Sequence, residues 1–320
     1  MPAKIFTAAV GTLLLLCGFR ALAAETLGET LGAANVPTRE FSGPELRQNI
    51  TSYAIARGDP FLLAYYVDDG SGRLQPPLHV IRYSRGTEDL RRADLRDIAA
   101  LFQGLVQMDC LGSALGVREY RDTIYIETHG GPSAGCVVVL SSALSIKAAL
   151  SGWLLGLVGP DYAILRGSEI HFMSVTPLHV EVYDLKRNRT VEVYPLKEDG
   201  LRRQYSRSII RAGISEKWCM ENNAQCDPGN FDTEVKGGLA VNEAAKVFGF
   251  EAEFDAAGFG DGGQRQAPPR SVVYVFREHD GAWQHREFEP AQLRGRFGVS
   301  SIQELVAQNP LAAFEPVTRK

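Results

Sequence analysis

Four stretches decide the fold when laid over one another: SYAIARGDPFLLAYYVDD from Ser52, SALGVREYRDTIYIETHG from Ser113, DYAILRGSEIHFMSVTP from Asp161 and GLAVNEAAKVFGFEAEFD from Gly238. Each reads as a strand, a tight turn and a second strand richer in β-branched and aromatic residues. After a loop of varied length each continues with another such run and a short partner: LHVIRYSRGTEDLRRADL, CVVVLSSALSIKAALSG, LHVEVYDLKRNRTVEVYP and SVVYVFREHDGAWQHREFE. Pro77-Leu78-His79-Val80 even recurs as Pro177-Leu178-His179-Val180, 100 residues later. The repeated unit is therefore a four-stranded antiparallel meander.

Repeats that start 61, 48 and 77 residues apart match the ~40 to 50 residues of a propeller blade with insertions between blades. One meander buries only one face well, so neighbours must stack face to face, and closing the ring protects the edges. A sandwich of two sheets is the alternative for an all-β chain of this size, but it supplies no reason for one unit to recur four times. The expected fold is all-β, a β-propeller of four to five four-stranded blades with short helical insertions. A fifth blade would have to lie in the divergent segments 25–50 and 199–237.

The insertions account for the uneven spacing. Leu95, Ile98, Leu101, Phe102 and Leu105 recur at helical intervals within residues 94–107, which predicts a helix between the first two repeats with Asp94 as its N-cap. Residues 199–237 are polar and Gly-bearing and read as a surface excursion with a short helix and a cysteine loop. A last helix is expected from Ser300-Ser301-Ile302-Gln303-Glu304 until Pro310 stops it. The organisation that follows is a signal peptide over 1–23, an N-terminal segment over 24–50, a propeller over 51–295 with its insertion at 199–237, and a C-terminal helix and tail over 296–320.

The strand pattern of residues 50 to 290 resembles propeller repeats of the TolB and WD-repeat kind. The stretch Thr-His-x-x-Pro-Ser-Ala-Gly-Cys, here Thr128 to Cys136, is also similar to one carried by exported bacterial proteins of no assigned activity. The resemblance implies a fold and no chemistry, because propellers host binding modules and enzymes alike.

Composition sets the address and excludes one class of partner. The 38 acidic side chains exceed the 34 basic ones for a formal charge of −4, so no basic surplus is present to neutralise nucleic-acid phosphates. Lys4, the apolar run IFTAAVGTLLLLCGF and the small residues of Ala21-Leu22-Ala23 read as a secretory signal cleaved after Ala23. Its core of 15 residues is shorter than the ~20 of a membrane-spanning helix. The mature chain is expected to be exported, periplasmic or extracellular, with no membrane span. Cleavage removes Cys17 and leaves Cys110, Cys136, Cys219 and Cys226, an even number that favours disulfides in an oxidising compartment. Cys219 and Cys226 bracket a short polar loop that can close on itself, which leaves Cys110 for Cys136.

Three groups of residues carry chemistry in principle. Gly131-Pro132-Ser133-Ala134-Gly135 fits the G-x-S-x-G of a nucleophile elbow, but an elbow needs a helix after the serine, whereas Cys136-Val137-Val138-Val139-Leu140 is strongly β-forming. The plain reading is a hairpin loop. Asp68, Asp69, Glu127, Glu169, Glu251, Glu253 and Asp255 lie in or beside the second strands and could serve as a glycosidase pair, although acids at strand ends are commonly solvated. Strand alternation puts Glu127 on the face of Tyr125 and His129. His79 and His179 occupy equivalent positions, which argues for a shared structural role. DPGNFDTE at 227–234 lacks the spacing of a calcium loop, so no metal and no cofactor is expected.

The connections between second and third strands, about residues 68–77, 129–135, 175–177 and 255–270, should emerge on one face of the ring, where binding usually resides. A ligand site is therefore expected where Asp68, Asp69, Thr128, His129, Ser133, His171 and Thr176 approach the mouth, with Tyr65, Tyr66 and Tyr125 as aromatic neighbours. That combination suits a polar molecule. The functional expectation is a non-catalytic module that binds a protein, a glycan or a small polar ligand; the alternative is a secreted hydrolase, glycosidase ahead of esterase.

Overall fold

The computed structural model describes residues 25–67, 76–96, 98–102, 110–130, 135–167, 180–194, 231–256 and 270–315. The chain divides into two compact units, residues 1–50 and 51–320. The described residues of the first, 25–50, hold two short helices, α1 (Leu27–Ala33) and α2 (Gly43–Leu46). Each opens on a capping box, Thr26 with Glu29 and Ser42 with Glu45, in which reciprocal side-chain bonds satisfy N–H groups that a helix start leaves unpaired. No blade lies in residues 25–50.

The second unit is built of four-stranded meanders. Sheet one holds β1 (Ile50–Ala56), β2 (Phe61–Val67), β3 (Leu78–Ser84) and β4 (Asp89–Leu95); sheet two holds β5 (Ser113–Tyr120), β6 (Thr123–His129), β7 (Cys136–Ser141) and β8 (Ile146–Ser151). Sheet three holds β9 (Trp153–Val158), β10 (Tyr162–Arg166), β11 (Val180–Asp184) and β12 (Arg189–Tyr194); sheet four holds β13 (Phe231–Asn242), β14 (Val247–Ala256), β15 (Arg270–His279) and β16 (Ala282–Phe288). In every sheet the strands lie side by side in chain order. Tight turns set the registers. Arg121 and Asp122 (φ 47° and 61°) close β5 on β6, and Asp280 and Gly281 (φ 52° and 79°) close β15 on β16, the paired positive φ values whose twist matches that of the flanking strands.

Two readings of the sequence are corrected. The third repeat starts at Trp153 and not at Asp161, because Gly159-Pro160-Asp161 is the turn between β9 and β10. DYAILR is thus a second strand that resembles the first strand SYAIAR. Adjacent strands buried on both faces draw on the same residue classes, so an alignment of short apolar runs slips by one strand. Val80 and Val180, the last residues of the matching stretches Pro77–Val80 and Pro177–Val180, both lie in third strands, of sheets one and three. The second correction concerns residues 94–107: β4 continues to Leu95, which puts Asp94 in a strand opposite His79 and not at a helix start. A 3₁₀ turn follows at Ile98–Leu101, and Ile98 and Phe102 are buried between sheets one and two. Residues 103–109 lie outside the described residues, as do 195–230 with Cys219 and Cys226.

Alternation of side chains across each strand lets the sheets stack as blades. Leu62, Tyr66 and Val80 of sheet one meet Ile124, Ile126 and Val138 of sheet two. The opposite face of sheet two, with Tyr125, Val137 and Val139, meets Leu154, Ala163 and Leu165 of sheet three. Sheet three in turn presents Ile164, Val180 and Val182 to Phe248, Phe250 and Phe276 of sheet four.

The stack is fanned about its first strands. Ser52 of β1 accepts the N–H of Ala114 of β5 through its hydroxyl at 3.0 Å. Gly156 of β9 lies so near Leu239 of β13 that a Cβ would sit 2.6 Å from the leucine Cδ2. Across these, the turn after β5 reaches the turn after β13, where the Tyr120 hydroxyl donates to Glu243 and Arg121 pairs with the same carboxylate at 2.9 Å. Parallel layers about 10 Å apart would hold sheets two and four far from each other; their inner turns meet because the sheets converge there, as propeller blades do.

The far face of sheet four is covered by the C-terminal segment. A helical turn at Pro290–Gln292 runs into a π-helical turn at Leu293–Phe297, and α3 (Ile302–Gln308) follows. Ser301 caps α3 by accepting the N–H of Glu304, and the helix ends ahead of Pro310. Leu293, Ile302, Leu305 and Val306 bury Val247, Val273, Val275 and Phe288. Sheet four therefore has sheet three on one face and α3 on the other, so a helix takes the place where a ring would lay sheet four on sheet one. Leu305→Ala is expected to lower the stability of the fold by about 2–5 kcal/mol through the cavity it leaves; urea unfolding measures it, and a neutral result would show that α3 does not cap the stack.

Candidate functional site

Strand β6, Thr-Ile-Tyr-Ile-Glu-Thr-His, holds most of the described candidates, and its alternation sorts them. Ile124, Ile126 and Thr128 face sheet one, whereas Tyr125, Glu127 and His129 face sheet three. Thr128 is fully buried and its hydroxyl donates to the Cys110 carbonyl at 2.6 Å. Its cross-strand partner is Cys136, which forms a disulfide with Cys110 at a Cα separation of 5.4 Å. Thr128 is thus part of the knot that fixes residue 110 to sheet two, and it is not free to meet a ligand. Tyr65 and Tyr66 are also buried in sheet one, so the expected aromatic rim at that edge is core.

His129 packs its ring 6.3 Å from Trp153, the first residue of β9, and its Nδ1 is buried without a hydrogen-bond partner among the described residues. The neighbouring glycine explains this contact. A Cβ on Gly135 would lie 2.2 Å from the Trp153 ring, and the Gly135 carbonyl accepts the N–H of Gly152 at 2.6 Å. The last glycine of the apparent nucleophile elbow is therefore demanded by an indole, and the strand β7, not a helix, follows it. His79 has an in-sheet role: its Nδ1 lies 2.6 Å from Asp94 and its ring stacks on Tyr65 at 5.0 Å.

Glu127 is the one candidate acid of β6. Burial raises its pKa above the usual carboxylate range, and the positive charge of Arg118 opposes this as the smaller influence. Beside it, burial pushes the Tyr125 hydroxyl up to about 12. Glu253 instead forms an ion pair with Lys236 at 2.6 Å. Asp68, Asp69, Ser133, His171 and Thr176, with Glu169 and His179, lie outside the described residues. In the sequence Asp68 and Asp69 follow β2, Ser133 lies between β6 and β7, and His171 and Thr176 lie between β10 and β11. Among the described residues no group of three or more His, Cys, Asp or Glu is placed to hold a metal ion, and no helix is long and apolar enough to cross a membrane.

The feature that the sequence did not announce is a cleft of about 750 Å³ between sheets two and three. Fanning brings first strands together and parts the outer ones, so the opening lies beside β8, the outermost strand of sheet two. Its floor is the face of sheet three that continues past β8, with Leu165, Glu181 and Tyr183. Asn188, Arg189 and Thr190 rise at one end, where Asn188 accepts the Tyr183 hydroxyl at 2.9 Å and Thr190 donates to Glu181 at 3.1 Å. Leu101 and Ile146 border it and are 50% and 39% exposed, two of the four large apolar side chains that the described structure leaves in water. Apolar side chains and a comparable number of polar ones line it, a combination suited to a ligand that carries both characters.

No known protein family and no curated protein matches the sequence, and no sequence-level link to the TolB or WD-repeat groups is found. Among solved structures, the chain is similar to the WD40 domain of SCAP from fission yeast at 10% identity and a TM-score of 0.28, over 78% of this chain and 54% of that one. A member of the DUF4221 family from Bacteroides vulgatus is similar at 11% identity and a TM-score of 0.25, over 74% of this chain and 81% of the other. The chain thus spans about half the length of the fission yeast protein chain it matches.

Two measurements check this local chemistry. Cys110→Ala opens a link between residues 26 apart and is expected to cost about 3 kcal/mol, read from urea midpoints with the parent protein under oxidising conditions as reference. For Glu127 the folded pKa lies above the unfolded one, so the folded state binds the extra proton and stability falls as pH rises through and above the usual carboxylate range. Glu127→Gln should therefore be more stable than the parent at neutral pH, with the difference shrinking in acid. A variant less stable at neutral pH would mean that the attraction of Arg118 outweighs burial.

Proposed function

We propose that the chain is an exported, non-catalytic binding module whose partner enters the cleft between sheets two and three. The observation that carries the reading is the cleft itself, open at the outer edge of the blades and lined by apolar side chains together with Lys147, Glu181, Tyr183, Asn188 and Arg189. Export is supported by the signal-like residues 1–23 and by the Cys110–Cys136 disulfide, which persists best in an oxidising compartment. The packing duties of Thr128, His129 and Gly135 favour binding over acyl transfer.

The test has two arms. Purified mature chain is assayed with p-nitrophenyl acetate and p-nitrophenyl glycosides, with no turnover expected above buffer. Turnover abolished by Ser133→Ala or by Glu127→Gln would replace the proposal with an esterase or a glycosidase. In the second arm the immobilised chain is exposed to envelope extract, and Asn188→Trp, which narrows the cleft, should reduce retention of the bound component about tenfold or more. Equal retention would move the binding surface elsewhere.

A further inference from the structure

We infer that the cleft takes an extended peptide segment of a partner protein, which adds to β8 as a fifth strand of sheet two. This rests on the binding reading above and specifies its ligand. All six residues of β8, Ile146 to Ser151, line the cleft. Successive side chains point to opposite faces of a strand, so a space bordered by every one of them runs along the strand's edge and meets its main chain.

The hydrogen bonds say which main-chain groups are turned that way. Ser141 N–H donates to the Ser145 carbonyl and Gly152 N–H to the Gly135 carbonyl, at the two ends of the β7–β8 pairing. Alternation between bonded and non-bonded pairs, together with the register shift of β8 against β7 between Ile146 and Ala148, points the N–H and C=O of Ile146, Ala149 and Ser151 away from β7. Among the described residues no strand pairs with that side of β8.

The edge also lacks the protection that its counterparts carry. The outermost strands β4, β12 and β16 each carry two or more charged residues: Asp89, Arg91, Arg92 and Asp94; Arg189 and Glu192; Arg286 and Glu287. Such charges keep unpaired edges from adding strands. In β8 the sequence is Ile-Lys-Ala-Ala-Leu-Ser, with Lys147 as its one charge and exposed Ile146 at its start.

The geometry selects one strand over a second copy of the chain. Sheet three continues beneath the cleft, and Asn188 to Thr190 border it opposite β8, which leaves room beside β8 for a single extended segment and not for the whole sheet that a β8-to-β8 dimer would bring. Six residues span about 20 Å. Alternate side chains of such a segment would lie on Leu165 and Tyr183, and the cations Lys147 and Arg189, set against the single acid Glu181, favour a segment with an acidic residue. Main-chain pairing supplies the affinity and these side chains the selection.

The experiment selects phage-displayed random dodecapeptides on the mature chain and measures the winners against two variants. Ala149→Pro removes an N–H that points away from β7, so no ladder bond is lost, and Ile146→Lys places at the edge the kind of charge the other outer strands use. Both should keep the parent's far-ultraviolet circular dichroism. Selected peptides should alternate apolar residues, lose affinity about tenfold or more in both variants, and slow amide exchange at Ala149 and Ser151. Peptides that bind Ala149→Pro as well as the parent, or that leave those amides unchanged, overturn strand addition while the binding module stands. Failure to enrich any peptide while an envelope component is still lost in Asn188→Trp also overturns it, in favour of a ligand of another class. Absence of both signals removes the two readings together.

Discussion

Burial of sheet two on both faces is the constraint on which the rest of the structure depends. Val137 and Val139 project to one side of β7 and Cys136, Val138 and Leu140 to the other, and all are removed from water. No exposed face is left for solvent, so sheet two is held only if a sheet lies against each side. Each fully buried aliphatic side chain contributes roughly 1.5–3 kcal/mol, and the β6–β7 pair alone supplies a continuous apolar block. The disulfide and the Thr128 hydroxyl then fasten Cys110 to that block, at the point where the chain arrives from sheet one.

The same packing has to stop somewhere. At sheet four the apolar face of Val247, Val273 and Val275 is closed by α3 and not by a further blade. A capped fan differs from a closed ring in what it exposes. Its first strands are drawn together, with Tyr120 and Arg121 reaching Glu243, while its outer strands part. The wedge between β8 and the continuing face of sheet three is a geometric result of that divergence, and Leu165 and Tyr183 line its floor because they belong to a face that elsewhere is core.

The residues that look chemical in the sequence turn out to be divided by the pleat. On β6, Thr128 and His129 are neighbours in the chain but point to opposite faces, one into a disulfide knot and the other against Trp153. Glu127 is kept in a half-buried position that disfavours its charge, and Gly135 is small because an indole lies over it. A motif such as Gly-x-Ser-x-Gly carries no record of that indole, which comes from a different repeat. The exposed edge of β8 left a trace in Ile-Lys-Ala-Ala-Leu-Ser, a strand with one charge where its counterparts have two or more, but the trace acquires meaning only once β8 is known to be outermost.

Read alone, the sequence determined the all-β class, the repeated four-stranded unit, the apolar centre of each blade and the final helix ahead of Pro310, and it favoured the pairing of Cys110 with Cys136 that the structure shows. These follow from local alternation, turn chemistry and cysteine number, which are properties of neighbouring residues. Tertiary structure alone decided where the third repeat begins, that residues 25–50 hold helices and no blade, that α3 covers sheet four, and that a cleft opens beside β8. Each of those depends on which faces meet across long stretches of chain, and two strands of like composition, such as SYAIAR and DYAILR, are distinguished only by the neighbours they are packed against.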